Sequence, residues 1–116
     1  MQRNIGWKLG VVCCLILLVA AQVCCSATTY YVSTAGDDSW NGLSATHTGG
    51  TNGPWATIDK GDTDVALVPG DTVIVQAGTY DVSSGVLLAS CAGTSIAPIT
   101  YRADGTVIIS NTAMTV

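Results

Sequence analysis

Glutamate is missing from this chain altogether, and cations nearly so. Eight aspartates face four Lys and Arg residues, of which only Lys60 and Arg102 lie beyond residue 27. So few Lys and Arg residues cannot displace counterions from a phosphate backbone, which argues against nucleic acid as a partner. Cysteine is equally scarce once the first 25 residues are set aside. Cys13, Cys14, Cys24 and Cys25 fall within them and Cys91 alone follows, so no disulfide framework is available. Beside Leu87, Leu88 and Ala89, Cys91 reads as a buried apolar side chain in preference to the partner of a cysteine in another chain. His47 is the single histidine. It sits among Thr and Gly with no Cys or Glu nearby, and reads as a solvated loop residue rather than a base or ligand. No G-x-S-x-G, no phosphate-binding Gly loop and no C-x-x-C occurs.

What is present begins with a leader. Arg3 and Lys8 precede an uncharged apolar run over 9–23, and the small residues Ser26 and Ala27 close it. That is the order of a secretory signal peptide, with cleavage expected after Ala27. The run is shorter than the roughly 20 residues a spanning helix needs, so no stable membrane insertion is expected once the leader is removed. The expected location is secreted, extracellular or at the cell surface.

Beyond the leader the chain divides in two. Residues 28–67 form a first unit: a strand at 28–33 (TTYYVS), a long Gly-, Asn-, Asp- and Ser-rich loop at 34–54, and a short helix within 55–67. Pro54 suits a first helical position, and Trp55, Ile58, Val65 and Ala66 could share a face, although Gly61 and Asp62 break the stripe. Residues 68–116 are short β runs separated by corners: TVIVQ at 72–76, YDV at 80–82, VLLAS at 86–90, PITYR at 98–102 and TVIIS at 106–110. Corners come faster than the spacing of sandwiches and barrels, and only Asp104-Gly105 offers a tight hairpin turn. Strands so short bury a face when the chain winds as a coil and each stacks on its equivalent in the next turn. Thr72–Val75 and Thr106–Ile109 echo one another at an offset of 34. Val73 and Val75 are expected on one face of their strand, with Thr72, Ile74 and Gln76 on the other.

In order, YYVSTAGDDSWNG, GPWATIDKG, VPGDTVIVQAGTY and APITYRADGTVII resemble the N-terminal region of secreted right-handed parallel β-helix proteins. The family is the pectate-lyase-like superfamily, in particular its chondroitinase-B-like and family 9 pectate-lyase-like branch. The resemblance covers residues 28–116. It implies an all-β solenoid in which 28–67 cap the open end and 68–116 form the first coils. Its members usually show an Ala-rich helix where this chain has DKGDTDVA. The resemblance also implies that catalytic cations and metal-binding carboxylates belong to middle coils. No residue here matches a catalytic motif, so a truncated or partial chain without catalytic activity is expected.

The best candidate for chemistry is DDSWNG. Asp37, Ser39, Asn41 and Gly42 fall at positions 1, 3, 5 and 6 of a calcium-loop pattern, whose alternating oxygens can address one hard cation. Position 12 is Thr48 rather than a bidentate Glu. The plainer reading is a turn, in which Asp, Ser and Asn bond their own backbone and Gly42 supplies positive φ. Arg102 reads as a strand residue beside Asp104 or solvent rather than a lyase base. Asp59, Asp62 and Asp64 could hold a cation weakly, and read more simply as a solvated face. Trp40 and Trp55 could form a sugar-stacking platform, yet Trp55 is expected to pack beneath the cap.

Two function classes follow. The first is a secreted polysaccharide-active protein, a lyase on acidic polysaccharide, of which this chain is the capping N-terminus. The second is a non-catalytic β-helix surface, adhesion or carbohydrate-binding protein.

Overall fold

A computed structural model describes residues 26–65, 67–83 and 92–112. Most of the leader, the β run expected at 86–90 and Cys91 therefore lie outside the described residues. Three strands are present: β1 Thr29–Val32, β2 Thr72–Asp81 and β3 Thr100–Ser110. They form one parallel sheet in the order β1-β2-β3. Regular structure among the described residues is thus almost all strand, in keeping with an all-β class.

The helix expected within 55–67 shrinks to one π-type turn, Gly61–Val65. Trp55, expected to open that helix, instead bridges Val32 in parallel fashion. The physical reason is hydrogen bonding along the outer edge of β1. Trp55 N–H donates to Tyr31 O at 2.9 Å, Ser33 N–H to Trp55 O at 2.8 Å, and Tyr31 N–H to Gly42 O at 2.8 Å. Residues 34–55 thereby satisfy backbone groups that an edge strand would leave open.

The paired short runs prove to be continuous strands. β2 runs through the corner expected at 77–79, bending with a register irregularity between Gln76 and Gly78. β3 likewise passes through Asp104-Gly105 with no hairpin. Thr72 pairs with Thr100 and Gln76 with Asp104, whereas Gly78 pairs with Val107, so one extra residue of β3 is taken up at the bend. The echo at offset 34 is therefore not the structural repeat. Thr72–Val75 lie beside Thr100–Ala103, and Thr106–Ile109 lie beyond the bend. The bends nest. A Cβ on Gly78 would lie 2.5 Å from Thr34 Cγ2, and one on Gly105 would lie 2.9 Å from Ala77 Cβ. Gly105 also has φ +92°, a region in which side chains are strained.

Strand alternation puts Tyr30, Val32, Val73, Val75 and Tyr101 on the inner face, as expected for Val73 and Val75. Val32, Val73 and Val75 join Trp55, Ile58, Leu67 and Tyr80 in the core. Trp55 is wholly buried. It stacks on Tyr30 with ring centroids 4.8 Å apart and gives its indole N–H to Trp40 O at 3.1 Å. Each buried valine contributes roughly 1.5–3 kcal/mol.

Asp71 holds the head of the sheet together. Its side chain is 1% exposed. Oδ1 accepts Thr28 N–H at 2.8 Å and Oδ2 accepts Val68 N–H at 2.9 Å, while its carbonyl accepts Thr100 N–H at 2.9 Å. One residue thus ties the chain entering β1, the turn before β2 and the start of β3.

Candidate functional site

The DDSWNG segment lies in the loop that covers β1, and each of its acidic and amide side chains accepts backbone hydrogen bonds. Asp37 Oδ1 accepts Ser39 N–H at 2.8 Å, and Asn41 Oδ1 accepts Leu43 N–H at 2.9 Å. Both are Asx turns. Hydrogen bonds from Ser39, side chain first and backbone second, hold the Asp37 carboxyl below its ordinary value. Asp38 faces a different segment. Its Oδ1 accepts Ala56 N–H at 2.8 Å and Thr57 N–H at 3.0 Å, and its Oδ2 accepts the Thr57 hydroxyl at 2.8 Å. Thr48, at the twelfth position, bonds Asn52. The geometry is that of a stapled turn. Among the described residues, no three His, Cys, Asp or Glu side chains gather as a metal group.

The aromatic platform does not assemble. Trp55 is in the core, and Trp40 stacks on His47 instead, with centroids 4.2 Å apart and planes 5° from parallel. A Cβ on Gly53 would lie 2.3 Å from Trp40 Cε3, so the indole is covered on that side too. The imidazole Nε2 lies 3.1 Å from Gly50 O. His47 is exposed, as expected, but it is anchored by this stack and contact.

Arg102 is on the outer face of β3. Register places it in one row with Ile74 and Tyr31, and Thr100 in a second row with Thr72 and Thr29. Arg102 and Asp104 share that face and are both exposed. Gln76, in register with Asp104, donates from Nε2 to Ala45 O at 2.9 Å and pins the loop 43–47 beside these rows. The outer face thus combines an exposed guanidinium, a carboxylate, a tyrosine and a row of hydroxyls.

A cleft of about 340 Å³ opens elsewhere, bordered by Asp62, Leu67, Pro98, Ile99 and Tyr101. Asp62 was expected on a solvated face, yet it is 4% exposed. The helical turn carries it inward. Asp59 is half-buried.

Two residues with the clearest structural tasks, Asp38 and Asp71, were not singled out from the sequence. Asp38 carried no separate signal beside Asp37. Asp71 did, since an aspartate between a Pro-Gly turn and a β run is placed to accept backbone N–H groups.

Among the described residues, no helix is long and apolar enough to cross a membrane. Comparison with family models, with curated proteins and with solved structures returns no match.

Proposed function

We propose that this chain is the N-terminal cap and first coils of a secreted right-handed parallel β-helix protein that acts as a lyase on acidic polysaccharide. The observation that carries the reading is the one-sided cap. The loop 34–55 closes the outer edge of β1 by backbone hydrogen bonds, while β2 and β3 stack in parallel with nested bends. A solenoid needs such a cover at each end of its stack, and one ahead of its first coil closes the edge with which a parallel stack would otherwise start. The exposed Arg102 on the outer face offers a carboxylate-bearing sugar a binding contact, with catalysis assigned to coils stacked beyond β3.

A second reading, a non-catalytic surface or carbohydrate-binding β-helix, draws on the row Thr29, Thr72 and Thr100. Ladders of small hydroxyl residues suit a passive glycan-facing surface.

One experiment separates the two. Pectate, alginate and chondroitin are incubated with this chain alone, and with the chain extended by further coils. Unsaturated product is followed by its ultraviolet absorbance. The lyase reading expects product from the extended protein only. Turnover by this chain alone would place catalysis on the residues described above. Binding without cleavage by the extended protein would favour the second reading.

A further inference from the structure

The two edges of the sheet differ in kind. That of β1 is occupied by Gly42 and Trp55. Among the described residues, no strand pairs with the outer edge of β3. Ile108 and Ile109 on that strand are 53% and 59% exposed. Thr100 N–H points to Asp71 on the β2 side, and Ser110 O accepts Val82 N–H there at the far end. Alternation along the strand therefore turns the N–H and C=O of Ala103 outward. Arg102 and Asp104 flank Ala103 on one face of the strand.

We propose that the open edge of β3 pairs antiparallel with β3 of a second copy of this chain, about a twofold axis midway between the two Ala103 residues, giving a closed dimer. In that register the two Ala103 residues exchange their outward N–H and C=O groups. Arg102 of each chain then lies directly opposite Asp104 of the other, as a non-hydrogen-bonded pair with Cβ atoms about 5 Å apart. Two opposite-charge pairs form in that one arrangement, and Thr100 meets Thr106. This charge complementarity selects the second copy as occupant. The capped β1 edge sets the stoichiometry: with a single open sheet edge among the described residues the contact is isologous and closes at two, whereas a filament would need two open edges. The proposal goes beyond the polysaccharide reading and does not depend on it. A further coil would pair with the same edge in parallel and exclude the dimer, so the dimer is proposed for this chain alone and not for one extended by coils.

Sedimentation velocity of the purified chain tests this. The expected result is a reversible monomer–dimer equilibrium with nothing larger, and dissociation promoted by salt. Arg102→Asp sets two aspartates against each other at both positions, and Asp104→Arg sets two arginines. Each variant alone is expected to dimerise about tenfold more weakly or worse, since cross-strand attraction becomes repulsion twice. Mixed, the two variants restore both opposite-charge pairs and should form a one-to-one heterodimer. Ala103→Pro removes an N–H that β2 does not use, so it should abolish the dimer while circular dichroism still reports the sheet. A chain that stays monomeric at all concentrations, one that grows past two copies, or a dimer that survives Ala103→Pro overturns the proposal.

Discussion

Replacing Asp71 with alanine should destabilise the chain more than any other change to a single polar side chain described above. Two backbone donors converge on its carboxylate at 2.8 and 2.9 Å. Hydrogen bonds to a charged partner contribute about 1.5–3 kcal/mol each. Two corrections lower the sum. Val68 is 38% exposed, so water can take over its N–H, and removing a buried carboxylate recovers part of its desolvation cost. The net loss is therefore about 2–4 kcal/mol, against a total stability of ~3–5 kcal/mol for so small a core. Asp71→Asn keeps one acceptor but turns an amide N–H toward a backbone N–H, and should fall between alanine and wild type. Urea unfolding followed by tryptophan fluorescence reads the effect, since Trp55 passes from complete burial to water. A shift of less than about 0.5 kcal/mol for Asp71→Ala would show that the three segments are held together by packing alone, and would refute the clamp.

Trp55→Phe removes the indole N–H bond to Trp40 O and part of the ring that fills the core. It should cost about 2 kcal/mol by chemical denaturation. In acid, hydrogen bonds from the Thr112 side chain and then its backbone, with lesser ones from Ser83, hold the Asp81 carboxyl below its ordinary value. A carboxyl lowered in the folded state contributes stability above its unfolded pKa and loses it as pH falls through the folded value. Carboxyl NMR should therefore show Asp81 titrating below a model aspartate, and Thr112→Val should return it toward the ordinary range. Calcium addition, read by Trp40 fluorescence, should leave the loop unchanged, because the Oδ1 atoms of Asp37 and Asn41 already serve Asx turns. A saturable change abolished by Asp37→Ala would place the ion at Asp37, Ser39 and Asn41.

The amino-acid sequence by itself determined where the extended segments lie, though not that β2 and β3 run on through the corners expected at 77–79 and 104–105. Thr29–Val32, Thr72–Val75 and Thr106–Ile109 are β-branched or aromatic, and that local preference survives in β1, β2 and β3. The alternation of Val73 and Val75 with Thr72 and Gln76 was equally legible, because side-chain facing in a strand depends only on parity. The turn nature of DDSWNG was readable for a similar reason: Asx turns close within three residues and need no distant partner. Register was different. Nothing local distinguishes Thr100 from Thr106 as the neighbour of Thr72. The choice rests on Asp71 accepting Thr100 N–H and on two glycine bends nesting against Thr34 and Ala77, contacts made across tens of residues. Trp55 makes the same point. Its sequence neighbours favoured a helix start, but the outer edge of β1 offered a carbonyl and an N–H that a helix would have left unpaired. Burial of a large ring against Tyr30 and pairing of exposed backbone groups together outweigh a weak local propensity. Such competition between local preference and long-range partners is decided only when the chain is folded.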